Sequence, residues 1–320
     1  MRIKKITIKT LGLFAAATVL VSIASCNKNE KFNPEETKVA MTFVAAIDGA
    51  GTKADTETEK TAFVENDAVG IIHVPTTEIS PMESTNFKYK YNGTKFEAEN
   101  LPYYFQDRDE VTFHAYYPYD ANLETGSSST YAIELNTKEM VVTDYLYASA
   151  TTTVANPSIS YTGDKAFKHV MAKLTINLRS GDGIGELTNA NTSVSVGNFN
   201  HKGGFIVFLG EVGREALGGE NTPAPFSFTG PSHSHLLIPQ PLLDENDEED
   251  TDEVDVTVTY GGVDYNAKLK ITTTDRNGKY ALLAGTHYTY TITVKNTGLV
   301  ISSAEIKDWN EETATGDALL

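Results

Sequence analysis

The sequence has one cysteine and one tryptophan in 320 residues, and it is short of positive charge: 26 Lys and Arg stand against 43 Asp and Glu, a net charge of −17. A single thiol leaves no intramolecular disulfide to form. A surface this acidic repels nucleic acid, whose binding rests on neutralising phosphates with Lys and Arg, so no nucleic-acid partner is expected. Membrane-spanning runs are missing as well. Leu11 to Ile23, broken by Gly12, Thr18 and Ser22, falls short of the roughly 20 apolar residues that cross a bilayer as helix. No twelve-residue window shows a convincing apolar stripe at helical spacing.

Signatures of chemistry are equally scarce. There is no G-x-S-x-G elbow, no G-x-x-x-x-G-K-[ST] loop and no H-E-x-x-H pair. Gly181-Asp182-Gly183-Ile184-Gly185 follows a strand pattern, but no helix pattern opens after it, so a β-turn is expected rather than a phosphate loop. His233-Ser234-His235 puts two imidazoles on one side of an extended segment, as two metal ligands would lie. No third ligand stands at a recognisable spacing. Flanked by Pro231 and Pro239, the pair is expected in a turn leading into Leu236-Leu237-Ile238. The acidic run from Asp244 to Glu253 reads as a self-repelling solvated loop. A calcium site is the sharper alternative, but the glycine turn and regular ligand spacing are absent. Carboxylates are too numerous to single out a glycosidase pair. No cofactor and no metal are expected, and no enzyme.

What is present begins with the N-terminus. Arg2, Lys4, Lys5 and Lys9 precede the apolar stretch, which ends in Ile23-Ala24-Ser25-Cys26. This resembles a bacterial lipobox, which implies a signal peptide over residues 1–25 and lipidation of Cys26. Acylation with more than one chain makes a stable anchor in the outer membrane. Residues 26–35 are polar and read as a tether. Without residues 1–25 the basic count falls to 22 against 43 acidic residues, or −21.

The dominant period is two. Val39, Met41, Phe43, Ala45 and Ile47 share one face of an extended segment, as alternate residues of a strand do. Leu174, Ile176 and Leu178 repeat the pattern, as do Val254, Val256, Val258 and Tyr260, and then Tyr288, Tyr290, Ile292 and Val294. Asn92-Gly93 and Gly261-Gly262 separate such runs, and both pairs suit the positive φ angles of a type I′ hairpin. Many short strands with turns at this spacing predict an all-β protein built of antiparallel sandwiches. About 290 mature residues exceed one ordinary core, so two domains are expected. Ala148–Thr153 followed by Asn156-Pro157-Ser158 breaks the strand pattern, which puts them at 36–158 and at 159–320, the latter with a short C-terminal tail. Tyr103, Tyr104, Tyr116, Tyr117 and Tyr119 form an aromatic cluster. Core packing is its first reading, and a platform for stacking sugars is the second.

Several stretches, taken in order, resemble the fimbrillin family of Bacteroidales surface proteins. They are Met41–Ile47, Thr52-Lys53-Ala54, Phe63–Ile71 with its Asp67-Ala68-Val69-Gly70-Ile71, Phe113–Tyr119, Phe167–Leu174, Tyr288–Ile292 and Ile306–Trp309. The resemblance implies two transthyretin-like antiparallel β-sandwich domains in tandem, and a fimbrial stalk or tip subunit exported as a surface lipoprotein. It further implies proteolytic processing between Lys53 and Ala54, which removes the strand carrying Val39, Met41, Phe43, Ala45 and Ile47. The vacated groove would accept a strand from another fimbrial subunit, by the physics of β-strand addition. Adhesion to host or bacterial surface ligands is the implied purpose. The alternative is an outer-membrane lipoprotein that captures glycans with the tyrosine cluster. Leu299–Ile306 is the candidate donor segment; only eleven residues follow Trp309, and otherwise the subunit donates nothing.

Overall fold

The structure, a computed structural model, describes residues 39–48, 60–75, 86–99, 102–105, 110–123, 132–138, 142–213, 223–242 and 251–309. All of these fall within the unit Lys38–Leu320. Among them every regular element but one is a strand, the exception being a single 3-10 turn at Gly163–Lys165. The protein is all-β.

The N-terminal half is organised by a six-stranded sheet in the order β4 (Phe96–Ala98), β3 (Phe87–Tyr91), β2 (Ala68–Pro75), β5 (Val111–Tyr117), β7 (Leu146–Thr152) and β9 (Lys168–His169), with every neighbour antiparallel. Over one face of it lies a two-stranded parallel pair, β1 (Thr42–Ala45) with β8 (Ser158–Tyr161). The side chains between them form one apolar cluster, in which Met41, Phe43, Ile47, Ile159 and Tyr161 meet Val69, Ile71, Phe113 and Leu146.

The C-terminal half is a sandwich of two four-stranded sheets. One runs β15 (Ser232–Leu237), β10 (Ala172–Ser180), β20 (Thr286–Lys295), β21 (Gly298–Asp308); the other runs β14 (Ala224–Thr229), β11 (Thr192–Phe199), β17 (Glu253–Tyr260), β18 (Val263–Lys270). Leu174, Ile176, Val254, Val256, Val258, Tyr288, Tyr290, Ile292 and Val294 all point into the shared core, the face that their alternation predicts. β10 and β20 run parallel, and the other pairs antiparallel.

A third cluster joins the halves. Ile72, Tyr116 and Leu135 from the first half pack with Met171, Phe205, Leu236, Ile238 and Trp309 from the second. The backbone crosses here too: β6 (Ala132–Asn136) adds to β12 (Lys202–Ile206), whose other neighbour is β13 (Glu211–Gly213). A short pair, β16 (Gln240–Pro241) with β19 (Ala281–Leu282), completes the set.

The turns divide. Gly261 and Gly262 have φ of +58° and +84° and link Tyr260 to Val263 directly, the two-residue primed hairpin that was expected. The other hairpin closes at Tyr91 and Phe96, so its loop has four residues and only Gly93 has positive φ. The Asn92 side chain accepts the Thr94 and Lys95 amides at 3.0 Å; an Asx cap of this kind stabilises the longer loop. Gly181–Gly185 is a turn, with the Ile184 amide bonded to Gly181 O. His233 and His235 lie inside strand β15, not in a turn leading to it. Period two puts both imidazoles on the inner face, where His235 stacks on Phe226 at 4.5 Å and His233 packs against Phe228 at 4.9 Å.

Candidate functional site

The first strand changes partners along its length. Its opening residues lean on the segment 102–105: the Met41 amide donates to Tyr103 O and the Phe105 amide to Val39 O, both at 2.9 Å. From Thr42 onward the bonds go to the opposite side. Thr42 donates to Pro157 O, Ala46 to Tyr161 O and Asp48 to Phe167 O, and Phe167 donates back to Ala46 O. Thus β1 has a single strand neighbour, β8, among the described residues. A strand paired along one edge keeps backbone groups available to an additional or competing strand.

Its side chains alternate as sequence predicts. Met41, Phe43 and Ile47 are 1%, 4% and 5% exposed, whereas Val44 is 56% exposed. Val39 and Ala45 pack half-buried against the same cluster. Phe43 stacks on Phe96 with ring centroids 4.8 Å apart and meets Tyr89 and Tyr161 edge-on. Tyr89 also ties the strand down by polar contact: its hydroxyl donates to Met41 O at 3.4 Å and accepts the Tyr103 amide at 3.2 Å. Burial pushes the Tyr89 phenol up to about 12, so this hydroxyl stays neutral and can both donate and accept.

Beyond the slot, a polar chain connects residues far apart in sequence. Tyr117 Oη donates to Asp67 Oδ1 at 3.2 Å, and Lys60 Nζ meets Asp67 Oδ2 at 2.6 Å. The Lys60 amide and His169 Nδ1 both reach Asp144 Oδ2, at 3.0 and 2.9 Å. The His169 ring lies under Trp309, and Lys173 Nζ stands 5.3 Å from the Trp309 ring centre. Asp67, Tyr117, His169 and Trp309 belong to four separate segments of the resemblance, which are brought together here. Asp144 and Lys60, which complete the chain, carried no signal in sequence.

The other predicted residues are dispersed. Cys26, Lys53, Ala54 and residues 244–250 of the acidic run lie outside the described residues. Asp252 and Glu253 pair with Lys270 and Lys268. Tyr103 and Tyr116 are buried in the apolar clusters, and Tyr117 is half-buried. Of the proposed sugar platform Tyr104, 37% exposed, is the most exposed member. Among the described residues no three His, Cys, Asp or Glu side chains converge as metal ligands, and no helix is long and apolar enough to cross a membrane.

A family model described as fimbrillin-like matches residues 52–309. A Bacteroides uniformis protein provisionally named fimbrium subunit Fim1C is 24% identical over 319 residues, covering 97% of this chain and 98% of its own. Two crystal structures of proteins provisionally described as cell adhesion proteins share the fold. The one from Bacteroides uniformis has a TM-score of 0.59 at 20% identity, covering 87% of this chain and 100% of its own. The one from Bacteroides ovatus has a TM-score of 0.60 at 19% identity, covering 86% and 99%.

Proposed function

The chain belongs to the fimbrillin-like family, and from that premise we propose that it is a lipid-anchored fimbrial subunit of the cell surface, which assembles by exchange of its first strand and contributes to adhesion. Cys26 is the acylated residue and the outer membrane its first station. Scission between Lys53 and Ala54 frees the segment carrying Val39, Met41, Phe43, Ala45 and Ile47. A strand from another fimbrial subunit then takes its place. The role is structural, without catalysis.

One observation carries this reading: β1 fills a core slot yet is held by one strand neighbour among the described residues. Burying Met41, Phe43 and Ile47 contributes roughly 1.5–3 kcal/mol each, comparable in sum to the net stability of a domain. An empty slot is therefore costly. Against this, fixing each backbone residue costs about 1–2 kcal/mol, so the net hold on the seven-residue segment from Met41 to Ile47 is modest. A strand with the same alternation restores both the apolar contacts and the β8 hydrogen bonds. The division into 36–158 and 159–320 is part of the same reading. Separate apolar clusters support two domains, with side chains changing allegiance between Phe167 and Ala172, about ten residues beyond that boundary, because Ile159 and Tyr161 of β8 pack with β1 in the first cluster.

Digestion of the native mature protein with a trypsin-like protease tests the mechanism. The expected result is one early cut after Lys53, followed by SDS-resistant ladders. A protein that is cut there and stays monomeric, or that retains its intact N-terminus, would overturn it.

A further inference from the structure

We propose that His235 and His201 form a proton-operated clasp that holds β6 and Thr137 against the C-terminal sandwich, so that acid loosens this joint before the sandwich itself. Thr137 is fully buried, and all its polar groups are held from the C-terminal half. Its amide donates to His201 O at 2.7 Å. Its carbonyl accepts from His235 Nε2 at 2.7 Å. Its hydroxyl meets His201 Nδ1 at 3.2 Å, while His201 Nε2 donates to Ala224 O at 2.7 Å. Thr137 follows directly on β6, the strand by which the first half adds to β12. The clasp therefore closes the only backbone pairing that β6 makes among the described strands.

The two imidazoles respond differently to a proton. With Nε2–H given to Ala224, His201 receives the Thr137 hydroxyl at Nδ1; on protonation that hydroxyl can rotate and accept. His235 has no such escape. Its Nε2–H is committed to Thr137, and its Nδ1 is buried without a partner among the described residues. The residue is 1% exposed and its ring lies against Phe226. A proton on Nδ1 creates a buried cation with an unsatisfied donor, the costly arrangement inside a protein. Among the described residues, the charged or titratable groups acting on the pair are His233 and His201 on His235, and Lys138 on His201. None of these groups, among the described residues, is a carboxylate that would stabilise the charge. Burial, the largest cause, holds His235 down at about 4 and lowers His201 as well. In an open joint the imidazole titrates near 6.5, so the closed joint is favoured fully above that value and progressively less as pH falls toward 4.

Amide hydrogen exchange of the full chain, corrected for intrinsic rate, tests the clasp at pH 7.0 and 4.5. Protection at β6, Thr137 and His201 is expected to fall by roughly fifty- to a hundred-fold, while the β17–β18 hairpin keeps its own. His235→Gln retains a donor for Thr137 but takes up no proton, and should markedly reduce the pH dependence of the joint's protection, leaving only the share contributed by His201. Direct titration of the His235 ring by NMR in the unaltered protein is expected to give a midpoint near 4, whether or not the variant folds. Unchanged protection at the joint, loss in step with β17–β18, an identical profile in His235→Gln, or a ring midpoint of about 6 or above would each overturn the proposal.

Discussion

Trp309 lies flat on His169, with ring centroids 3.9 Å apart and planes 7° from parallel. The contact fastens the end of β21 to β9, so the last strand of the second half is locked onto the last strand of the first sheet. Below the stack, His169 bonds Asp144, and both side chains are 2% exposed. The Trp309 amide completes the lock by donating to Gly285 O at 2.6 Å. Any departure of Leu299–Ile306 as a donor strand must first break this anchor.

Trp309→Ala should therefore destabilise the protein by about 3–5 kcal/mol, the range for deleting a large buried aromatic. Urea denaturation monitored by far-ultraviolet circular dichroism measures it. Trp309→Phe, which keeps a ring over His169, should recover much of the loss. A change under 1 kcal/mol for the alanine variant would show that the stack does not hold the joint.

The first strand offers a paired test on adjacent residues. Phe43→Ala empties a site lined by Phe96, Tyr89 and Tyr161 and should cost about 3 kcal/mol or more. Val44→Ala, on the exposed face, should stay within about 0.5 kcal/mol. Proteolysis after Lys53 should speed up in the first variant and not in the second. Equal effects would mean that alternation does not govern how the strand is held.

Gly70 stands opposite Tyr116 in the β2–β5 ladder, and a Cβ there would lie 2.0 Å from Tyr116 Cε1. Tyr116 is fully buried and donates to Asn86 Oδ1 at 3.1 Å, so its ring cannot swing away. Gly70→Ala should cost about 3 kcal/mol, at the upper end for overpacking. Shrinking the facing residue in the double variant Gly70→Ala, Tyr116→Leu should cost less than the sum of the single changes, as coupled neighbours do. Strict additivity in thermal melts would refute the clash.

Acid should weaken the first sheet through His114. Burial lowers its imidazole to about 4, and Nδ1 lies 2.7 Å from Tyr147 Oη. The unfolded chain binds that proton near 6.5, so the contribution is complete above pH 6.5 and fades as pH falls toward 4. Carboxylates titrate in the same window, so the informative quantity is the difference between the protein and His114→Gln. The urea midpoint of the variant should fall less between pH 7 and 4.5; parallel curves would exclude His114.

The sequence by itself determined which residues face inward. Period two is a local property of extended backbone, so the inner faces of β1, β10, β17 and β20, the Gly261-Gly262 hairpin and the all-β class were readable without a partner strand. Partnership is another matter. That β1 would run parallel to β8, that β6 would leave its own half for β12, and that His235 would clasp Thr137 depend on segments distant in sequence, selected by the fit of whole apolar faces. His233-Ser234-His235 shows the limit: alternation put both rings on one side, but only the sheet packed opposite made that side a core. Asp144 was illegible for a related reason, since a carboxylate in an acidic chain is distinguished by its burial against His169 and Lys60, and burial is a property of the assembled fold.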